Sequence, residues 1–137
     1  MDLDFDQRQD IGNLQGPSWI DIMPHVVFDR KIDLAIFGEK FAPTMIKAPY
    51  IVKLTDLYLS NNKKSALVSA VSIDEKNQQF LIEIFAKEEK TTIRLYPGTD
   101  PEKTAGVKTS LGQLAKMLQK IFPDIKRSKT NIEEFIQ

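Results

Sequence analysis

A single histidine, His25, and the absence of cysteine set the first limits on the chemistry open to this chain. Without a thiol there is no cysteine nucleophile, no thiolate metal site and no disulfide, and one imidazole cannot build a multi-histidine metal centre. A serine nucleophile would need His25 as its base. The neighbours Val26, Val27 and Phe28 instead read as a strand in or beside a core, and no third group can be nominated to orient the ring. Asp2, Asp4 and Asp6 have the spacing that opens a calcium loop, but Gln7 and Asn13 then stand where the loop requires glycine and glutamate. Gly98, Gly106 and Gly112 make neither a dinucleotide fingerprint nor a phosphate loop. The residues nominate no catalytic group, no metal and no cofactor, and a non-catalytic role is expected.

Binding has more material. Phe85, Arg94 and Tyr96 would share one sheet face, combining rings that can stack with a guanidinium, and Lys116, Lys120, Lys126, Arg127 and Lys129 follow as candidate phosphate neutralisers. This is the expectation for a single-stranded nucleic-acid-binding protein. Ile93-Arg94-Leu95-Tyr96, a glycine-bearing link and Thr109-Ser110-Leu111 opening a helix resemble, over a short stretch, the transcriptional-coactivator family that binds single strands through a four-stranded meander and helix. That family's glycine- and lysine-rich stretch and its helix tryptophan are absent, and membership is not assigned. The other expectation, ranked first, is a protein-binding or assembly module, which accounts for a full core without a reactive centre. Tyr50, Tyr58 and Phe41 read as exposed edge residues that suit it. A second copy of the chain is one admissible partner.

Net charge is zero, but its terms are unevenly placed. From Met1 to Pro24 five Asp stand against one Arg, and from Lys103 to Lys129 six Lys and one Arg stand against one Asp. The acidic head is expected to meet the basic tail at Lys116, Lys120, Lys126, Arg127 or Lys129. No stretch reads as a membrane span, and the acidic start does not read as an export signal. No membrane association and a cytoplasmic location are the expectations.

These groups must be positioned by one core. The 137 residues, 42% of them hydrophobic, suit a single domain. Residues 1–17 read as a flexible acidic arm and residues 18–137 as one α+β domain. The alternation Asp2, Leu3, Asp4, Phe5, Asp6 would place carboxylates on one side of an extended arm and apolar groups on the other, a form that can add to a sheet edge. Between Trp19 and Phe37, His25–Phe28 and Ile32–Phe37 read as two β-rich runs. Tyr50–Leu59, Ser65–Ile73, Gln79–Lys87 and Thr92–Tyr96 are stronger strands, β-branched and separated by polar turns. Such short links require antiparallel neighbours. The fold class is therefore an antiparallel meander of five or six strands covered by a C-terminal helix, with a second short terminal helix.

That covering helix is read from Ser110, capped with Gln113, to Phe122, with Leu111, Leu114, Ala115 and Leu118 on its buried stripe. Asp100 and Pro101 read as a cap and a first helical position, and a last helix is read from Thr130 with Glu133 as capping partner. Pairing Ile84 with Ile93 or Leu95 puts Phe80, Ile82, Ile84, Ile93 and Leu95 on one apolar face. Glu83, Phe85, Arg94 and Tyr96 then share the other, with a cross-strand pair from Glu83 or Phe85 to Arg94.

Overall fold

The computed structural model describes residues 23–136. The expected arm, Trp19 and Gln137 lie outside them. The described chain forms one seven-stranded antiparallel sheet and two helices. Its elements are β1 (His25–Phe28), α1 (Leu34–Lys40), β2 (Thr44–Ile46), β3 (Ile51–Leu59), β4 (Ser65–Ile73), β5 (Asn77–Lys87), β6 (Lys90–Leu95), α2 (Ala105–Ile121), β7 (Arg127–Thr130) and a 3-10 turn, Glu133–Phe135. The α+β class expected from the sequence is the one observed.

The sheet order is β2-β3-β4-β5-β6-β1-β7. From β2 to β6 it is a meander, as short polar links dictate. The order breaks after β6, where β1 returns to pair with β6 on one side and β7 on the other. Strand β4 has the bounds expected, and Ile84 pairs with Ile93, the first of the two registers considered.

Alternation sorts the sheet into two faces. Ala66, Val68, Ala70, Phe80, Ile82, Ile84, Ile93 and Leu95 point inward and are buried. Helix α2 lies on that inner face and contributes Val107, Leu111, Leu114, Ala115 and Leu118, while Phe37 of α1 packs beside Phe122 at a ring separation of 6.4 Å.

Three readings of elements are corrected. Ile32–Phe37 is not a strand: Leu34–Lys40 is a helix whose cap, Asp33, accepts from the N–H groups of Ala35 and Ile36. A helix this short turns only Leu34 and Phe37 inward, so Ile36 stays outside and no stripe shows in the sequence. Helix α2 begins at Ala105, not Ser110. Its cap is Thr104, whose Oγ1 accepts from Val107, while Asp100 and Pro101 lie in the preceding irregular link. Ser110 is a buried helix-interior residue donating to the Gly106 carbonyl, so its hydroxyl is satisfied within the helix. Finally, Arg127–Thr130 is an edge strand on β1, and the last helix reduces to the 3-10 turn. Glu133 binds Arg127 instead of capping, and Thr130 Oγ1 accepts from Ile132 and donates to the His25 carbonyl.

The start of α2 is also tied to the sheet. Asp74, in the β4–β5 turn, accepts from the backbone N–H of Lys76 at 3.0 Å and of Gly106 at 2.8 Å. The Lys76 N–H, with the Thr104 side chain next, holds the Asp74 carboxyl below the ordinary carboxylate value. A carboxyl with a depressed folded pKa contributes stability above its unfolded value and loses it as pH falls through the folded one. Asp74→Asn is therefore expected to lower the melting point at neutral pH and to converge with wild type below about pH 4, the unfolded aspartate range. Parallel pH–melting curves for the two proteins would refute the linkage.

Candidate functional site

The outer face of the sheet carries the residues singled out for stacking. Directly opposed residues of antiparallel strands share a face, so the pairing defines rows. One row runs Tyr58, Leu67, Glu83, Arg94, His25, and the next runs Ser65, Phe85, Thr92, Val27, Lys129. Beyond it, Lys87 and Lys90 face each other at the β5–β6 turn. Tyr96, Leu81, Val71 and Ser69 continue the surface in the other direction by strand alternation.

Arg94 is held in place by both expected partners. Its Nε and Nη2 lie 3.0 Å from Glu83 Oε1, and its guanidinium carbon lies 4.9 Å from the centre of the Phe85 ring. The cation is thus oriented across the ring, an arrangement that partly neutralises it and covers one aromatic face. Tyr96 is partly covered too: a Cβ added at Gly98 would stand 2.5 Å from a Tyr96 ring carbon.

The basic residues do not form one patch. Lys116 and Lys120 are exposed on α2, on the side away from Leu114 and Leu118. Since α2 packs on the inner face, they lie across the domain from Phe85, Arg94 and Tyr96. Arg127 pairs with Phe28, an inner-face residue, and donates to Gln119 of α2 and to Glu133 at 2.7 Å each. Lys126 exchanges backbone-based hydrogen bonds with Asp29. Lys129 alone, opposite Val27, shares the outer face with the stacking residues.

One feature of this face was missed by sequence reasoning: Lys87 and Lys90 add cations beside Phe85, a placement that strand parity could have shown. His25, read from its neighbours as a strand residue in or beside the core, lies in β1 and is buried. Along the outer row Tyr58 is 56% exposed, the Glu83 and Arg94 side chains 18% and 28%, and His25 1%. The His25 Nδ1 lies 2.8 Å from the Met23 carbonyl and donates to it. Nε2 is buried and, among the described residues, has no hydrogen-bond partner.

Comparison with protein-family models, with characterised proteins and with solved structures finds no match in any of the three. The site must therefore be read from its own geometry. Beside Thr55, where the β3–β4 register shifts between Leu54 and Asp56, a shallow depression is lined by Thr55, Ser69, Val71, Gln79, Leu81 and Thr99, none of which titrates near neutral pH. Among the described residues no group of three or more histidines and carboxylates could hold a metal ion, and no helix is long and apolar enough to cross a membrane.

Proposed function

We propose that the protein is a non-catalytic protein-binding or assembly module, acting in the cytoplasm, whose recognition surface is the outer face of the sheet. The observation that carries this reading is the run of half-buried apolar residues Leu67, Val71, Leu81 and Phe85 on a face that neither helix covers. Antiparallel sheets with one solvated face ordinarily alternate apolar and polar groups, and apolar side chains gathered on the second face mark an interaction surface. The test is capture of partners from the protein's own cell extract after nuclease treatment, comparing wild type with Leu81→Glu and Lys116→Glu. A protein partner retained by wild type and Lys116→Glu but lost by folded Leu81→Glu is the expected result. Equal capture by all three would overturn the assignment to this face.

A second reading, single-stranded nucleic-acid binding, is favoured by one observation: Phe85, Arg94 and Tyr96 do share the outer face, with Lys87, Lys90 and Lys129 around them. Under this reading affinity for a short single strand falls with salt at a slope of roughly −0.7 per phosphate contacted. Substituting Lys87 and Lys90 by Ala should flatten that slope by one to two contacts. Substituting Lys116 and Lys120 should leave it unchanged, because they face the other way. No measurable binding at about 50 mM salt, where electrostatic attraction is strong, would remove this reading.

A further inference from the structure

We propose that the depression between the β1–α1 link and the β3–β4 turn is a binding site for a compact anion carrying two or more phosphate groups. Its walls are Lys31 and Asp33 on one side and Asn62, Lys63 and Lys64 on the other. Ile32, Leu34 and Ala86, all buried, make up the rest of its lining. The volume is about 400 Å³, within the usual range for small-molecule sites. None of these residues belongs to the rows of the outer face, so the site is separate from the surface proposed above and does not rest on it.

Both walls are fastened to one cross-strand pair. Ala86 and Thr91 face each other near the closed end of the β5–β6 hairpin. The β3–β4 turn hangs from the first, because the Ala86 N–H donates to the Lys64 carbonyl at 2.9 Å. The β1–α1 link hangs from the second: Thr91 Oγ1 donates to the Arg30 carbonyl at 2.8 Å and accepts from the Ile32 N–H at 3.0 Å. Within the turn, Asn62 Oδ1 accepts from Ser60 Oγ at 2.7 Å and from the Lys64 N–H at 2.9 Å. The backbone on either side is thus set before a ligand arrives, and its ordering is not charged against affinity.

Charge identifies the ligand class. Three ammonium groups face one carboxylate, and Asp33 Oδ1 already accepts from the Ala35 and Ile36 N–H groups. The ion pairs among the described residues are Lys76 with Glu102, Glu83 with Arg94, Asp100 with Lys103 and Glu133 with Arg127. Lys31, Lys63 and Lys64 take part in none of them, and all three are exposed. At the opposite end of the sheet Lys76 and Lys103 each have a carboxylate partner. Lysines serve phosphate as mobile point charges rather than as a planar fork. Three of them around a small depression match a polyvalent anion better than a single monovalent one.

The backbone at Lys63 adds to this. Its φ of 61° lies in the left-handed region, where glycine is at ease and a lysine is strained. Hairpin turns ordinarily place glycine or asparagine at such a position. Strain of this kind gathers where a side chain is needed for a ligand.

The test is an NMR titration of the full isotope-labelled chain with sodium tripolyphosphate at about 0.15 M salt, where a screening length near 8 Å leaves only close cations to contribute. Saturable amide shifts are expected at residues 31–34, 62–64 and 86, with Lys116 and Lys120 unmoved. Lys63→Gln combined with Lys64→Gln should weaken binding about three- to thirtyfold, the loss of two exposed ionic contacts. The charge-matched pair Lys116→Gln and Lys120→Gln should leave it unchanged. Lys63→Gly separates binding from folding, since it is expected to melt no earlier than wild type and still bind more weakly. A short single strand titrated in the same way distinguishes the other source of phosphate, because the nucleic-acid reading places its shifts at Phe85, Arg94 and Tyr96. Shifts that do not saturate, shifts confined to those outer-face residues with both ligands, equal weakening by the two double variants, or undiminished binding by Lys63→Gly would each overturn the site. None of these outcomes bears on partner capture through Leu81, so the two readings fail separately.

Discussion

Leu118→Ala is expected to destabilise the domain by about 2 to 5 kcal/mol, the range for a fully buried leucine, and to lower its melting temperature by roughly 8 to 20 °C. Leu118 is completely buried at the C-terminal end of the α2 stripe, one turn beyond Leu114 and against the inner face of the sheet. The helix end cannot close over the missing methyls easily, because Phe122, whose N–H bonds to the Leu118 carbonyl, is already packed against Phe37. A thermal melt followed by circular dichroism checks this. An unchanged midpoint would mean that α2 does not close the core.

Gly112→Ala gives the second large effect, and its sign separates two physical arguments. Helix propensity alone favours alanine over glycine by about 1 kcal/mol in a helix interior. Packing opposes it: a Cβ at position 112 would stand 1.9 Å from the Phe135 carbonyl oxygen and 2.7 Å from its carbon. These are backbone atoms, so relief requires the 3-10 turn to move, and that turn seats Ile132 and Ile136 in the core. Overpacking of this kind costs about 1 to 3 kcal/mol and more when buried groups are expelled. The expected outcome is a net loss of stability, with faster amide hydrogen exchange in residues 127–136. A higher melting point would show that the turn yields freely.

The meander was legible because its signals are local. β4 and the β5–β6 register follow from alternation and short polar links, and parity alone placed Glu83, Phe85 and Arg94 together. Elements held by distant partners were not legible. β7 is Arg-Ser-Lys-Thr, with no β-branched apolar run, and it is a strand because β1 offers it an edge. Likewise Gly106, Thr109 and Ser110 hid the first turns of α2. Their burial is made acceptable by hydroxyl-to-carbonyl bonds within the helix and by Asp74 from the sheet. In the candidate site, one basic run was divided between two sides of the domain. Sequence proximity of Lys120, Arg127 and Lys129 says nothing about side when a helix on one face is followed by an edge strand whose residues alternate.

The slot that β1 occupies between β6 and β7 also sets an order of events during synthesis. The Thr130 side chain bonds the carbonyl of His25 across 105 residues, so both edges of that slot are translated long after β1 itself. At about 5 to 20 residues per second the interval is roughly 5 to 20 s, far longer than a hairpin needs to form. The β3–β6 meander can assemble by nearest-neighbour hairpins in that time, whereas Val26 and Phe28 wait without their final neighbours. Closure of the N-terminal strand into a sheet already laid down is then the late, high-contact-order event, and an exposed β6 edge is the surface most open to wrong pairing until it occurs.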